Sequence, residues 1–277
     1  MDGRGETFEI LVSSAPGGCA ELAHAAAKKP GEVRIYACGG DGTLNEVVNG
    51  AAEFSNAAVT HFPGGSGNDF VKSFSEQAPF FELPRLLDAE ETRLDLIRCA
   101  GRYSINVCSM GYDARIGTEI GRYKRMPLVT GKGAYIISAA VNTIRGIHRP
   151  YHVEIDGKTY DGEQTLICIG NGRHYGGSFY PLPGAELDDG LLDVVLVRGV
   201  SRLTVLRLIG RYAKGGYREL PDLIQFHRCK SVRVVCAQPE AVNLDGELLM
   251  EQDVTFQALP QKIRFFYPRG LNYRPKK

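Results

Sequence analysis

The sequence predicts an α/β domain followed by a second, mostly antiparallel β domain. Before about residue 70, short apolar segments alternate with helical patterns, and this β-α-β-α order is typical of a parallel sheet covered by helices. From about residue 90 onward, most segments are short and strand-like, with two or three helical stretches among them. The 277 residues are enough for two domains of ordinary size.

The first domain opens with a strand, a helix and a second strand. Phe8–Val12 is apolar and β-prone, which predicts a short strand. A helix is predicted from about Cys19 to Lys29, where the pair Pro30-Gly31 ends it. Val33–Ala37 is again short and apolar, so we expect a buried strand there.

The stretch Cys38–Glu46 has three glycines in four positions between that strand and a helix. Glycines let the backbone adopt positive φ and approach a ligand closely, and the free amides at a helix start suit a phosphate group. Asp41 would repel phosphate unless a metal ion or a hydroxyl proton lay between them. A plain turn capped by Asp41 or Thr43 is the alternative. The helix is predicted from apolar residues at helical spacing, with Gly50 as its stop: Leu44, Val47, Val48 and Ala51.

A second glycine loop, Phe62–Phe70, follows the apolar segment Ala57–Phe62 and precedes a helix predicted from Asp69. Ligands of open parallel sheets bind beyond the carboxyl ends of the strands. Two glycine loops at the ends of sequential strands are therefore expected to face one crevice. A connector capped by Asn68 or Asp69 is the simpler alternative. The first glycine stretch, Cys38–Glu46, has neither the spacing of a Walker A loop nor that of the Rossmann fingerprint.

The second domain is predicted from many short strands and a few helices. Tyr112–Gly121, Ala134–Arg145 and Ser201 to about Lys214 have helical patterns. Asp156-Gly157 is a hairpin signal. The strand-like segments are Thr92–Cys99, Tyr103–Ser109, Tyr151–Ile155, Lys158–Tyr160, Thr165–Ile169, Leu191–Arg198, Ser231–Cys236, Ala241–Leu244, Leu248–Met250, Val254–Ala258 and Ile263–Tyr267.

Three loops of this domain carry groups that could do chemistry. Asn243–Glu247 places two carboxylates around a tight turn, although spacing alone favours a plain Asp-Gly hairpin. Glu186–Leu191 is an acidic turn that could hold a hard cation, while a solvated turn is the commoner case. Gly170–Gly177 is long and glycine-rich, which favours a ligand-facing loop.

Composition excludes several classes of protein. The net charge of +1 provides no overall field that would recruit nucleic acid. No apolar run of about 18 residues and no signal-peptide pattern occur, so we expect a cytoplasmic protein. The seven cysteines include no C-x-x-C pair and are expected to be buried thiols.

These motifs resemble the diacylglycerol kinase catalytic-domain family, and most closely its soluble bacterial lipid kinases, relatives of sphingosine and ceramide kinases. The resemblance starts with Gly39–Glu46 and Pro63–Phe70 and covers most of the chain in the family's order. It continues through Gly170–Gly172, Gly176-Gly177, Pro183–Ala185, Leu187–Val194 and Leu244–Glu247. The family usually opens with a strand ending in N-P-x-[SA]-G, which is absent here, so the chain starts near the family's second strand.

The resemblance implies a two-domain kinase that transfers phosphate from ATP to the hydroxyl of diacylglycerol or a similar lipid alcohol. Residues 1–88 would form an α/β nucleotide domain like those of phosphofructokinase and NAD kinase. Residues 89–261 would form a β-sandwich, with about 262–277 returning to the first domain and the active site in the cleft. The lipid would be met at the membrane surface by peripheral contact. Related enzymes can form homodimers.

The resemblance also implies roles for individual residues. Asp245 or Glu247 would be the general base, and the sequence does not choose between them. Asp41 would help hold a catalytic Mg²⁺. A structural Mg²⁺ would be held by Asp189 with backbone oxygens of Glu186 and Leu191. The residues that would contact the nucleotide are Ser14, Gly39, Gly40, Asp41, Gly42, Thr43, Leu44, Asn45, Ser66, Asn68 and Asp69.

Two alternatives stay open at this stage. NAD kinases share the G-G-D-G-T loop, but their Asn-Glu pair lies further downstream and they lack the P-x-G-[ST]-x-N-D-F signature present here. A nucleotide- or lipid-binding homologue without catalysis is the other, motivated by the missing N-P-x-[SA]-G loop.

Overall fold

A computed structural model of the chain describes residues 7–117, 141, 146–177, 179–216 and 219–275. Residues 112–117 are helical, and the rest of the predicted helix Tyr112–Gly121 lies outside the described residues. All but one residue of the predicted helix Ala134–Arg145 also lies outside them.

The described helices are α1 (Gly18–Ala27), α2 (Asp41–Ala51), α3 (Leu83–Leu87) and α4 (Arg202–Tyr212), with 3₁₀ turns at Phe70–Ser73 and Ala78–Phe81. The described strands are β1 (Val33–Gly39), β2 (Ala57–Pro63), β3 (Glu90–Cys99), β4 (Arg102–Ser104), β5 (Val107–Gly111), β6 (Arg149–Ile155), β7 (Lys158–Thr159), β8 (Gly162–Gly170), β9 (Leu192–Arg198), β10 (Ile224–Cys229), β11 (Ser231–Leu244) and β12 (Glu247–Tyr267).

The two predicted parts share one continuous sheet. Its main path runs β1-β2-β12-β11-β5-β8-β6-β7, with β3 beside β12 and β9 beside β8. β2 pairs in parallel with β1 on one side and with β12 on the other, and the remaining pairings are antiparallel. The fold prediction is thus confirmed, and the long strand β12 physically joins the parallel part to the antiparallel part.

Each part has its own apolar core. Helices α1 and α2 pack on the parallel strands with Phe70, Phe80 and Phe265 in the centre of that core. A second core lies under the antiparallel strands around Phe256. Because Phe256 and Phe265 both belong to β12, the last strand contributes to both cores.

The predicted strand Phe8–Val12 is wrong. These residues form no strand, and Ile10 and Val12 are 79% and 84% exposed. A segment with high β-propensity forms a strand only where a neighbouring strand pairs with it through hydrogen bonds. In the described sheet, β1 pairs with β2 alone, and Phe8–Val12 does not join its open edge.

Gly50 does not end α2, which continues to Ala51. A Cβ at Gly50 would overlap the carbonyl oxygen of Ala20, so the glycine permits close packing of α1 against α2. The predicted helix from Asp69 is a short 3₁₀ turn. Tyr103–Ser109 forms two strands, β4 and β5, rather than one.

Candidate active site

The two glycine loops touch, as their places after β1 and β2 predict. The amide of Gly64 donates to the carbonyl of Gly39 (2.7 Å). A Cβ on Gly65 would overlap Gly40 Cα, so glycine is needed where the loop backbones meet. Asn68 holds the second loop, because its Oδ1 accepts from Gly65 N (2.9 Å) and its Nδ2 donates to Gly65 O (2.8 Å).

The start of α2 offers backbone amides to a ligand. Gly40 is the N-cap and provides no side-chain cap, so the amides of the first turn lack intrahelical acceptors. Gly40, Asp41 and Gly42 line a cavity of about 820 Å³, together with Gly65, Ser66 and Gly67 of the second loop. Amides and a positive helix end facing such a cavity suit a phosphate chain.

Asp41 ties the two loops together. Its Oδ1 accepts from the amides of Asp69 (2.6 Å) and Phe70 (3.2 Å). Its Oδ2 lies near Gly67, where an added Cβ would come within 2.8 Å. Among the described residues, no donor bonds to this second oxygen, which leaves one carboxylate oxygen of Asp41 available at the cavity wall.

Asp69 and Lys72 close the cleft against the loop after β8. Asp69 Oδ2 accepts from Gly177 N (2.7 Å), while Asp69 Oδ1 accepts from Lys72 Nζ (2.6 Å). Lys72 Nζ also donates to Gly177 O (2.7 Å). This set of bonds fixes the two halves of the molecule on one side of the cavity.

The Asp245 carboxylate is saturated with donors. Oδ1 accepts from Ser104 Oγ (2.7 Å) and Val107 N (2.9 Å), and Oδ2 accepts from Asn45 Nδ2 (3.0 Å) and Ile105 N (2.9 Å). Asn106 N adds a fifth, longer bond to Oδ1 (3.2 Å). Burial raises the pKa of Asp245, and the bonds from Ser104 and Asn45 oppose that rise. The carboxylate thus joins α2 to the antiparallel strands.

Glu247 is two residues away and has the opposite environment. Its side chain is exposed and lines the cavity. A Cβ on Gly42 would lie 3.8 Å from Glu247 Oε1, which places this carboxylate opposite the start of α2. The tight turn between the two acids, with Asp245 at φ 51° and Gly246 at φ 99°, turns one acid inward and leaves the other at the cavity.

Away from the glycine loops, the cavity becomes apolar. Its walls include side chains of β8, β9, α4 and the connection between β9 and α4: Leu166, Val197, Val200, Val205, Leu208 and Ile209. One continuous space therefore has a polar end suited to phosphates and an apolar end suited to hydrocarbon.

Comparison with known proteins identifies the family of the chain. The model of the diacylglycerol kinase catalytic domain matches residues 1–99. The model of the YegS C-terminal NAD kinase beta sandwich-like domain matches residues 106–267, more than half of the chain. The chain belongs to the diacylglycerol kinase catalytic-domain family.

Individual relatives of this kinase-family chain are distant in sequence. The protein named "Putative lipid kinase SAS0691", from Staphylococcus aureus (strain MSSA476), is 25% identical over 239 residues, which are 86% of this chain and 78% of that protein. A diacylglycerol kinase from Bacillus anthracis str. Sterne has the same fold, with a TM-score of 0.70 and 21% identity over 94% of this chain and 84% of its own. A second protein, described as "a putative diacylglycerol kinase from Bacillus anthracis str. Sterne", has a TM-score of 0.74 and 23% identity over 95% and 86% of the two chains.

The residues that the resemblance assigns to nucleotide contact fall into two groups. Gly40, Asp41, Gly42, Ser66 and Asp69 line the cavity. The others do not line the cavity. Gly39 packs on Thr43, and Leu44 is in the core. Asn45 donates hydrogen bonds to Tyr103 O and Asp245, Asn68 holds its own loop, and Ser14 is exposed before α1.

The acidic turn before β9 is balanced by arginines. Asp189 pairs with Arg228, which also contacts Asp193 (3.2 Å). Glu186 pairs with Arg274 (2.8 Å). The described residues contain no cluster of three metal-binding side chains. The structural Mg²⁺ site that the resemblance implies for this turn stays a prediction.

The sequence did not predict the position of three polar residues at the cavity. Asp113, Tyr175 and Tyr212 line it, and the two tyrosine hydroxyls are 3.2 Å apart. Tyr175 lies in the loop predicted to face a ligand, so its position could have been suggested. Asp113 carries no sequence signal beyond its place just after β5. Burial raises its pKa to about 6, against hydrogen bonds from Ser109 and the amide of Ala114.

The raised pKa of Asp113 makes folding stability depend on pH. The unfolded chain loses this proton near pH 4 and the folded chain near pH 6, so stability falls as the pH rises through this range. We expect Asp113→Asn to raise the free energy of unfolding at pH 8 by roughly 2–3 kcal/mol. The gain should shrink towards pH 4. Urea unfolding at both pH values measures it, and an equal change at both would contradict the assignment.

Proposed function

We propose that the protein is an ATP-dependent lipid kinase that phosphorylates the hydroxyl of diacylglycerol or a similar lipid alcohol. The observation that carries this proposal is the single cavity of about 820 Å³ that joins both glycine loops to an apolar wall under α4. A phosphoryl donor suits one end and a lipid acceptor suits the other, so the hydroxyl can meet the terminal phosphate inside the cleft.

The glycine loops would hold the phosphates. Phosphoryl transfer depends chiefly on positioning and on stabilisation of charge, and backbone amides at the start of α2 provide both without a side chain in the way. Ser66 adds a hydroxyl from the second loop at the cavity wall. The contact between Gly40 and Gly65 keeps the two loops in register.

Glu247 is the better candidate for the general base. A base needs a carboxylate oxygen within reach of the acceptor hydroxyl, and Glu247 is exposed at the cavity opposite Gly42. Asp245 already accepts five hydrogen bonds, which occupy both of its oxygens. We therefore assign proton removal to Glu247 and the positioning of the hairpin to Asp245.

Asp41 fits a role in holding magnesium. Its available Oδ2 is a hard oxygen ligand of the kind that Mg²⁺ prefers, and it lies beside the phosphate loops. Bound Mg²⁺ would neutralise charge on the phosphate oxygens. The other oxygen of Asp41, Oδ1, would keep the two loops in contact at the same time.

Asp41→Ala is expected to lower turnover at least ~100-fold, because it removes the oxygen ligand and the link between the loops together. It should also lower the free energy of unfolding by about 1–3 kcal/mol, since the amides of Asp69 and Phe70 lose their acceptor. ATP turnover and thermal melting measure the two effects. A near wild-type rate would remove Asp41 from the proposed site.

A substrate panel tests the proposed function. ATP consumption is measured with Mg²⁺ over lipid alcohols in mixed micelles (diacylglycerol, phosphatidylglycerol, a sphingoid base and an isoprenoid alcohol) and over NAD. Turnover on a lipid supports the proposal and identifies the acceptor. Turnover on NAD alone would favour an NAD kinase. ATP binding without turnover on any acceptor would favour a non-catalytic homologue.

A further inference from the structure

The outer face of α4 is the most exposed apolar surface on a described helix. Leu203 and Leu206 are 67% and 74% exposed, and Ile209 is 42% exposed. A monomeric soluble protein rarely leaves neighbouring large aliphatic residues open to water on one helix face. None of the described helices has the length and apolar composition needed to span a bilayer.

The charged side chains in and around α4 are all basic. Residues 198–214 contain five basic and no acidic side chains, in a chain whose net charge is +1. Arg207 and Arg211 are exposed and follow the leucines around the helix, and neither forms an ion pair with a described residue. An apolar face flanked by arginines is the pattern of a helix in the interface of an anionic bilayer.

The inner face of α4 covers the cavity. Four residues of this face line the cavity: Thr204, Val205, Leu208 and Tyr212. Leu203 and Leu206 do not line it. Ile209 belongs to both surfaces, since it lines the cavity and is partly exposed. The apolar surface is thus continuous from the outside of the helix to the space where the acceptor would bind.

We propose that α4 docks the protein on an anionic lipid bilayer, with Leu203 and Leu206 among the acyl chains and the arginines at the lipid phosphates. The inference rests on the proposed lipid kinase function and adds the place where the lipid enters. A lipid could then pass from the bilayer into the cavity along Ile209 without leaving an apolar environment. The chain's small net charge does not oppose this docking, because the attraction is local.

Vesicle sedimentation without ATP tests the docking directly. We expect stronger binding to vesicles of phosphatidylcholine with phosphatidylglycerol than to phosphatidylcholine alone. Leu203→Ser with Leu206→Ser should weaken binding at least about tenfold. Arg207→Gln with Arg211→Gln should weaken it about tenfold or more on the anionic vesicles only. The matched control is Ile10→Ser with Val12→Ser, which changes two exposed aliphatic residues before α1 and should leave binding unchanged.

Two further results would overturn the inference. One is an equal loss of vesicle binding in the control pair and the leucine pair. The other is a change from dimer to monomer in the leucine pair, measured by analytical ultracentrifugation, with vesicle binding intact, because α4 would then be a contact between two copies of the chain.

Activity assays separate this inference from the proposed function. The leucine pair should lower the phosphorylation of long-chain lipid in vesicles about tenfold and leave that of a dispersed short-chain lipid unchanged. A loss on both lipids would contradict docking through α4. Absence of phosphorylation on every lipid by the unaltered protein would contradict the kinase proposal, while the vesicle binding result would still test α4.

Discussion

Glu247→Gln is expected to lower turnover on the lipid acceptor by about 10²–10⁴-fold, the range that general-base catalysis contributes. The amide keeps the shape of the side chain but cannot accept the hydroxyl proton. Because Glu247 is exposed, the substitution should leave the melting temperature and the affinity for ATP unchanged. Steady-state kinetics with saturating ATP measure the turnover rate, and a melting curve shows whether folding stability is unchanged.

The matched control for this substitution is Glu251→Gln. Glu251 lies four residues along the same strand, on the same face, and does not line the cavity. It should keep the wild-type rate. If Glu247→Gln retained more than about a tenth of the wild-type turnover, Glu247 would not be the base and the role would pass to another group of the cleft.

Asp245→Asn is expected to have the largest effect on stability, a loss of about 3–5 kcal/mol in the free energy of unfolding. The new amide group has to face donors, because both oxygens of the carboxylate accept hydrogen bonds. The donors come from α2 and from residues 104–107, which run from the end of β4 to the start of β5, so the loss should loosen the cleft. Urea unfolding and the melting temperature measure it.

The chain contains its own control for Asp245→Asn. Asp156 occupies the same turn position in the β6–β7 hairpin, with φ 45° against 51° at Asp245. Among the described residues, its carboxylate accepts from the amides of Lys230 and Ser231 alone, and Asp156 is exposed. Asp156→Asn should therefore cost no more than about 1 kcal/mol. Equal losses at the two hairpins would show that Asp245 has no special part in joining the domains.

The contact between the glycine loops could be predicted because it depends on a general property of parallel sheets. β1 and β2 are sequential and parallel, so Gly39 and Gly64 come to the same edge whatever the remaining structure is. The hairpins were predictable for a similar local reason, since an Asp-Gly pair meets the φ requirements of the turn by itself.

The roles of Asp245 and Glu247, the two acids at the turn between β11 and β12, could not be predicted from local sequence. The donors that saturate Asp245 are about 140 to 200 residues away along the chain. The same holds for Glu46, which lies in the first glycine stretch but accepts from Gly17 N (2.9 Å) and Cys19 N (3.0 Å) at the start of α1. The strand prediction for Phe8–Val12 was wrong for a related reason. β-propensity can be seen in the local sequence, but the presence of a neighbouring strand to pair with cannot.

The most direct test of the proposed lipid kinase function is the lipid product itself. The wild-type protein, Glu247→Gln and Glu251→Gln are each incubated with Mg²⁺, ATP labelled at the γ-phosphate and a lipid alcohol in mixed micelles. The extracted lipid is then analysed for label and mass. We expect one labelled phosphate on the lipid hydroxyl with wild type and Glu251→Gln, and a yield at least ~100-fold lower with Glu247→Gln. Labelled water-soluble product with unmodified lipid, or equal yields from all three proteins, would contradict the assignment of the cleft as a lipid kinase site with Glu247 as its base.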